Sequence, residues 1–93
     1  MGSAASTTTV DNDRIRITTW TFEVEGANTG HHVHEYDYIV VPVTGGTFTI
    51  TDAEGGTHAM TQPAGVPYLG TAGTSHDVVA NAPAVFVEIE LKR

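Results

Sequence analysis

No stretch of this 93-residue chain sustains a 3.6-residue apolar period. Its apolar residues recur at every second position, in short runs that stop at glycine- or proline-bearing turns. A chain written this way cannot build a helical bundle, and it points to an all-β sandwich or barrel. Residues 14–22 (RIRITTWTF) are rich in the β-branched and aromatic side chains that suit a pleated surface. Residues 36–43 form a mainly apolar run ended by Thr44-Gly45-Gly46, and residues 47–51 alternate cleanly before Asp52-Ala53-Glu54-Gly55-Gly56. Shorter strands are expected at 57–60, 66–69 and 75–80, and a last strand carries Val85, Val87, Ile89 and Leu91 on one face and Glu88 and Glu90 on the other. Phe48, Ile50, Val85, Val87 and Ile89 are the main core candidates, with Ile39 and Val41 as a second set. Pro42 has no N–H to give a ladder, which puts its strand at an edge or at a bulge. Residues 1–9 read as a polar tail, disordered or an expression scar, and residues 10–93 as a single domain.

Charge narrows the partners. Four Lys and Arg stand against 11 Asp and Glu, a formal charge of −7, which argues against nucleic acid and against an anionic membrane surface. There is no cysteine, so disulfides, thiolate metal sites and a thiol nucleophile are excluded. No apolar run approaches the roughly 18 residues needed to span a bilayer and no export signal is visible, so a cytoplasmic protein is expected. Between Arg16 and Lys92 there is not one Lys or Arg. A pocket built from this middle must find positive charge in histidine, in a bound cation, or in Arg14 and Arg16. Those two share a strand face and are expected at the surface or beside Glu88 or Glu90. A chain this short buries only about 60–65% of its unfolded surface, so help from a metal or from a homodimer that covers its sheet edges is expected.

Three of the five histidines fall in His31-His32-Val33-His34. Side chains at i and i+2 of a strand share a face about 6–7 Å apart, so His32 and His34 can converge on one ion while His31 points away. His76, on a distant strand, is a candidate third imidazole. Neutral imidazole suits Zn, Fe, Ni, Cu and Mn. A solvated His-x-His face and a hydrogen-bonded structural His76 are the plain alternatives, and His31 and His58 are expected at the surface.

The spacing around these histidines resembles the cupins. Five residues separate Gly26 from His32-Val33-His34, and Gly45 closes the first cupin motif at the right distance. Gly65, Gly73 and His76 match the second motif, and the likeness spans roughly residues 12–91. The motif Glu is replaced by Tyr38, the motif Pro by Thr71 and the motif Asn by Ala80. The resemblance implies a single cupin-type jelly-roll β-barrel in which His32, His34 and His76 hold one divalent transition metal (Fe, Ni, Zn or Mn). It leaves open whether Tyr38 or Asp37 stands in for the missing carboxylate. Tyr38 and Tyr36 become candidate catalytic hydrogen-bonding or acid groups, and Tyr68 and Trp20 candidate pocket walls. His32 through Tyr38, Val41-Pro42-Val43 and residues 85–90 look like a group of small bacterial cupins, some carrying a name linked to β-alanine degradation. The implied function is a metal-dependent enzyme acting on a small metabolite, an Fe(II)-type dioxygenase or a relative of one. The alternatives are a binding module without turnover and a metal-free barrel. Absence of cysteine removes the thiol dioxygenases that carry a Cys–Tyr crosslink.

Overall fold

The computed structural model describes residues 4–92, and every regular element in it is a strand. In chain order these are β1 Ala5–Asp11, β2 Ile15–Phe22, β3 His32–Val33, β4 Asp37–Pro42, β5 Gly46–Asp52, β6 Thr57–Gln62, β7 Tyr68–Gly70, β8 Ser75–Ala80 and β9 Ala84–Leu91. Two antiparallel sheets result, one ordered β1-β2-β9-β4-β7 and the other β3-β8-β5-β6. This is a jelly roll, but the ladders do not close into the expected barrel. The edge strands β3 and β7, two and three residues long, are too short to carry pairing from one sheet to the other. Among the described residues no helix is long and apolar enough to cross a membrane.

The interior is layered, and the strand registers show how. At one end Phe48 is level with Ala80, and Phe86 lies between Trp20 and Pro42. Here Phe22, Phe48 and Phe86 meet with ring centroids 5.4 to 5.9 Å apart, edge-on or tilted as aromatic quadrupoles favour. One pair further along, Ile50 is level with Val78 and Glu88 with Val40. One pair further still, His76 is level with both Asp52 and His32, and Glu90 with both Arg16 and Tyr38. The fold is thus plugged with phenylalanine at one end and becomes polar towards the other.

Three expectations need correction. Residues 5–9 are not a tail: β1 pairs with β2 from Ala5↔Thr21 to Asp11↔Arg16, with a bulge between Thr8 and Val10. Its seven residues are all exposed, so what holds it is the ladder and a Thr8–Thr18 hydroxyl contact of 3.0 Å rather than apolar burial. Residues 1–3 lie outside the described residues. The faces of β9 and β4 are reversed. Ala84, Phe86 and Glu90 on β9 and Tyr38, Val40 and Pro42 on β4 are buried, whereas Val85, Val87, Ile89, Ile39 and Val41 lie half-buried on the outer side. Phe48 and Ile50 are in the core as expected. Finally, β4 is an interior strand, not an edge. Pro42 is tolerated because the pairing with β7 stops at Val40↔Tyr68, and its carbonyl takes the Gly65 N–H instead.

Candidate metal centre

His32 stands at the start of β3, directly across from His76 on β8. His34 follows β3 and is fixed by its backbone: its N–H goes to the Thr74 carbonyl and its own carbonyl takes the Gly73 N–H. A bend at Glu35–Tyr36 then carries the chain from one sheet to the other. Residues 32, 34 and 38 therefore do not share one strand face. They meet because two sheets face the same interior.

Nε2 of His34 lies 3.1 Å from Nε2 of His32 and 3.1 Å from Nε2 of His76. His32 Nδ1 lies 2.8 Å from the Gly30 carbonyl oxygen, an acceptor with no proton of its own, so Nδ1 carries the hydrogen and the Nε2 lone pair faces the cluster. Burial first, then neighbouring His32, lowers the pKa of His34 and His76 to about 4, which keeps both neutral near pH 7, the form a metal would need. Two nitrogens each about 2.1 Å from one ion stand about 3.0 Å apart at a right angle and about 3.4 Å apart at the tetrahedral angle. The observed 3.1 Å for both pairs that include His34 falls in that range, and all three imidazoles offer a nitrogen within 4.8 Å of the others. Three imidazole nitrogens drawn this close are a donor set that fits the metal the fold implies.

No carboxylate joins the set: among the described residues the close group of potential ligands is His32, His34 and His76 alone. Asp37 is exposed and its Oδ1 accepts the Ala72 N–H at 2.8 Å. Tyr38, in the place of the motif Glu, is 5% exposed and stacks on the His34 ring at a centroid distance of 3.8 Å. Burial, with Glu88 second, raises its pKa and keeps the phenol protonated. The ring fits only because residue 70 is glycine: a Cβ there would run into the Tyr38 ring at Cζ.

Below the histidines lies a cavity of about 360 Å³, at the small end of ligand pockets. Val40, Ile50, Met60, Val78 and Phe86 form its apolar walls, and Glu88, Gln62, Tyr68, Thr29 and Thr74 supply polar groups. No Lys or Arg lines it. Tyr68 takes its expected place as a wall, its hydroxyl accepting from Gln62 Nε2 at 2.9 Å and its pKa pushed up chiefly by burial. Trp20 packs against the core cluster and does not line the cavity. Tyr36, at the bend that precedes β4, is also off the cavity wall. His31 is exposed and contacts Ser75 Oγ at 2.9 Å. His58 is exposed but reaches the cavity rim. Arg16 turns inward and grips Glu90 with two bonds of 2.6 and 2.9 Å, while Arg14 stays exposed. Sequence reasoning missed Glu88 as a cavity residue. Its signal was the Arg16–Glu90 match, since an inward Glu90 forces Glu88 inward too.

The fold and the three-histidine cluster are together those of a cupin domain. A cupin domain from Bordetella pertussis Tohama I superposes with a TM-score of 0.91 at 37% identity, over 99% of this chain and 96% of that one. A cupin superfamily protein from Desulfitobacterium hafniense DCB-2 gives 0.76 at 15% identity, over 98% and 79%, and shows the fold alone. No family model matches. In sequence the chain is 46% identical to the beta-alanine degradation protein BauB of Pseudomonas aeruginosa, over 96% of this chain and 94% of that protein. The chain belongs to the cupins, in the family of BauB.

Proposed function

We propose that this chain is a metal-binding cupin that acts on a small metabolite, with His32, His34 and His76 holding one divalent transition metal and the cavity holding the ligand. The observation that carries this is the convergence of Nε2 atoms at 3.1 Å, with the His32 tautomer fixed from behind by Gly30. When bound, such an ion supplies Lewis acidity and, as Fe(II), the redox chemistry of a dioxygenase. The protein's own residues hold and shield the site. The phenylalanine plug closes the far end to water, Tyr38 fixes the His34 ring plane, and its protonated phenol is a hydrogen-bond donor beside the cluster. The BauB relative carries a name from β-alanine degradation, which supports a catabolic setting. Oxygen uptake by Fe(II)-loaded protein over a panel of small carbonyl and amino-acid metabolites tests turnover, and silence across metals and substrates would overturn it. A binding module without turnover is the second reading, favoured by Tyr38 standing where a ligating carboxylate would be.

We also propose that two copies pair. Val10, Ile17, Ile89, Ile39 and Leu69 form one aliphatic row across all five strands of the larger sheet, on its outer face. A second copy laid on that face would cover it and shield the exposed edge strand β1.

A further inference from the structure

Two carboxylates line the cavity, Asp52 and Glu88. Asp52 is used by its own turn, where Oδ1 accepts the Glu54 and Gly56 N–H groups at 3.0 and 2.9 Å. Glu88 has no such use. Its neighbour Glu90 takes the bidentate bond of Arg16, and among the described residues no side chain hydrogen-bonds Glu88. Nor is it a metal ligand, since the close group of potential ligands is the three histidines. It lies in the middle layer of the interior, paired with Val40 on one side and Thr18 on the other. That layer is one pair-step from the level of Tyr38, whose ring packs on His34. A pair-step is about 7 Å along a strand, so Glu88 is offset from the imidazole level by about that rise, on the facing sheet of one small cavity. Ile50 and Val78 share the layer of Glu88, and Phe86 closes the layer beyond it, away from the histidines.

We propose that Glu88 is the second pole of this site: it accepts hydrogen bonds from the amino group of a short bifunctional ligand whose carboxylate or carbonyl end faces the histidines. The proposal deepens the metal-site reading and rests on it for the far end of the ligand. A carboxylate in an apolar-walled cavity is costly without a donor, and an ammonium is the group that relieves it most. The pKa of Glu88, raised to about 7 first by burial and then by Glu90, registers that need. A cavity of about 360 Å³ limits the ligand to a short chain, and the absence of Lys and Arg from the walls leaves the anionic end only the histidine pole.

The test is calorimetric binding to Zn(II)-loaded and metal-free protein, with β-alanine, 4-aminobutanoate, propanoate and propylamine as probes, and metal content measured separately. On the loaded wild type the two amino acids are expected to bind about ten- to a hundredfold more tightly than propanoate, the worth of a charge-assisted hydrogen bond. Glu88→Gln removes that preference, and propanoate, relieved of a like charge in the same cavity, binds no more weakly than to the wild type. Glu88→Asp, which keeps the charge on a shorter arm, retains part of it. An amine preference that survives in Glu88→Gln overturns the proposal, as does its absence from wild type. Binding of metal without an amine preference sinks the Glu88 assignment alone. A Glu88-dependent amine preference in a protein that takes up no metal sinks the metal reading alone.

Discussion

Replacing Glu88 by Gln is expected to stabilise the metal-free protein at alkaline pH and to change little in acid. The folded protein raises the Glu88 pKa from the ordinary 4.5 to about 7, chiefly by burial. Below 4.5 the side chain is protonated folded or unfolded, and its full contribution is present. As pH climbs from 4.5 through 7 the unfolded chain ionises first, so the folded state loses stability, and the loss is complete above 7. At about 1.4 kcal/mol per unit the ceiling is about 3 kcal/mol, and water reaching a half-buried carboxylate through the cavity reduces this to about 1–2 kcal/mol. The groups around Glu88 are Glu90 and Arg16 on its own sheet, Tyr38 and Tyr68, and, across the cavity, the histidines and Asp52. His34 and His76 act with the opposite sign: their pKa values, lowered to about 4, withdraw stability as pH falls through 6.5 towards 4. They are present in both proteins and cancel in the difference. Urea unfolding followed by the fluorescence of Trp20, the chain's one tryptophan, from pH 4.5 to 8 in a chelator, reads that difference directly. A variant advantage that stays flat with pH, or a variant less stable at pH 8, would refute the placement of Glu88 in the interior.

Other expectations follow from single contacts. Gly70→Ala drives a Cβ into the Tyr38 ring and should cost about 2–3 kcal/mol by overpacking while loosening His34. Tyr38→Ala should relieve most of that cost in the double variant, and additive losses in urea unfolding would contradict it. Arg16→Ala leaves Glu90, 8% exposed, without its partner and should cost about 2–3 kcal/mol, whereas Lys92→Ala, which breaks an outlying pair with Asp11, should leave the unfolding midpoint unchanged. Light scattering at micromolar concentration should give twice the 9.8 kDa chain mass, and Ile89→Lys should halve it; a monomeric wild type would end the pairing proposal.

Most strands were legible because alternation and glycine-bearing turns are local signals. The chain shows this in residues 75–80, where the expected strand and β8 coincide. Which face of β9 turns inward was not legible from apolarity. The usual rule of apolar in and polar out fails when the inner side borders a polar cavity and the outer side is itself aliphatic, as Glu88 and Glu90 against Val85, Val87 and Ile89 show. β1 escaped for another reason: its Thr-rich residues bury nothing, and only the ladder to β2 makes them a strand. The His32–His34 pair could be read from spacing. His76 could be offered as a third imidazole, but only the resemblance tied it to that pair, since no local rule says that residue 76 pairs with residue 32. Strand parity cannot place Tyr38 or Tyr36, because the Glu35–Tyr36 bend interrupts the chain between the histidines and β4.

The most direct test is elemental analysis of untagged protein equilibrated in turn with Fe(II), Ni(II), Zn(II) and Mn(II), beside His32→Ala, His34→Ala and His76→Ala. Three converging imidazoles predict about one ion per chain for the preferred metal, lost from each variant while the fold persists. Unchanged metal content in the variants, or a wild type that retains none of the four, would contradict the account.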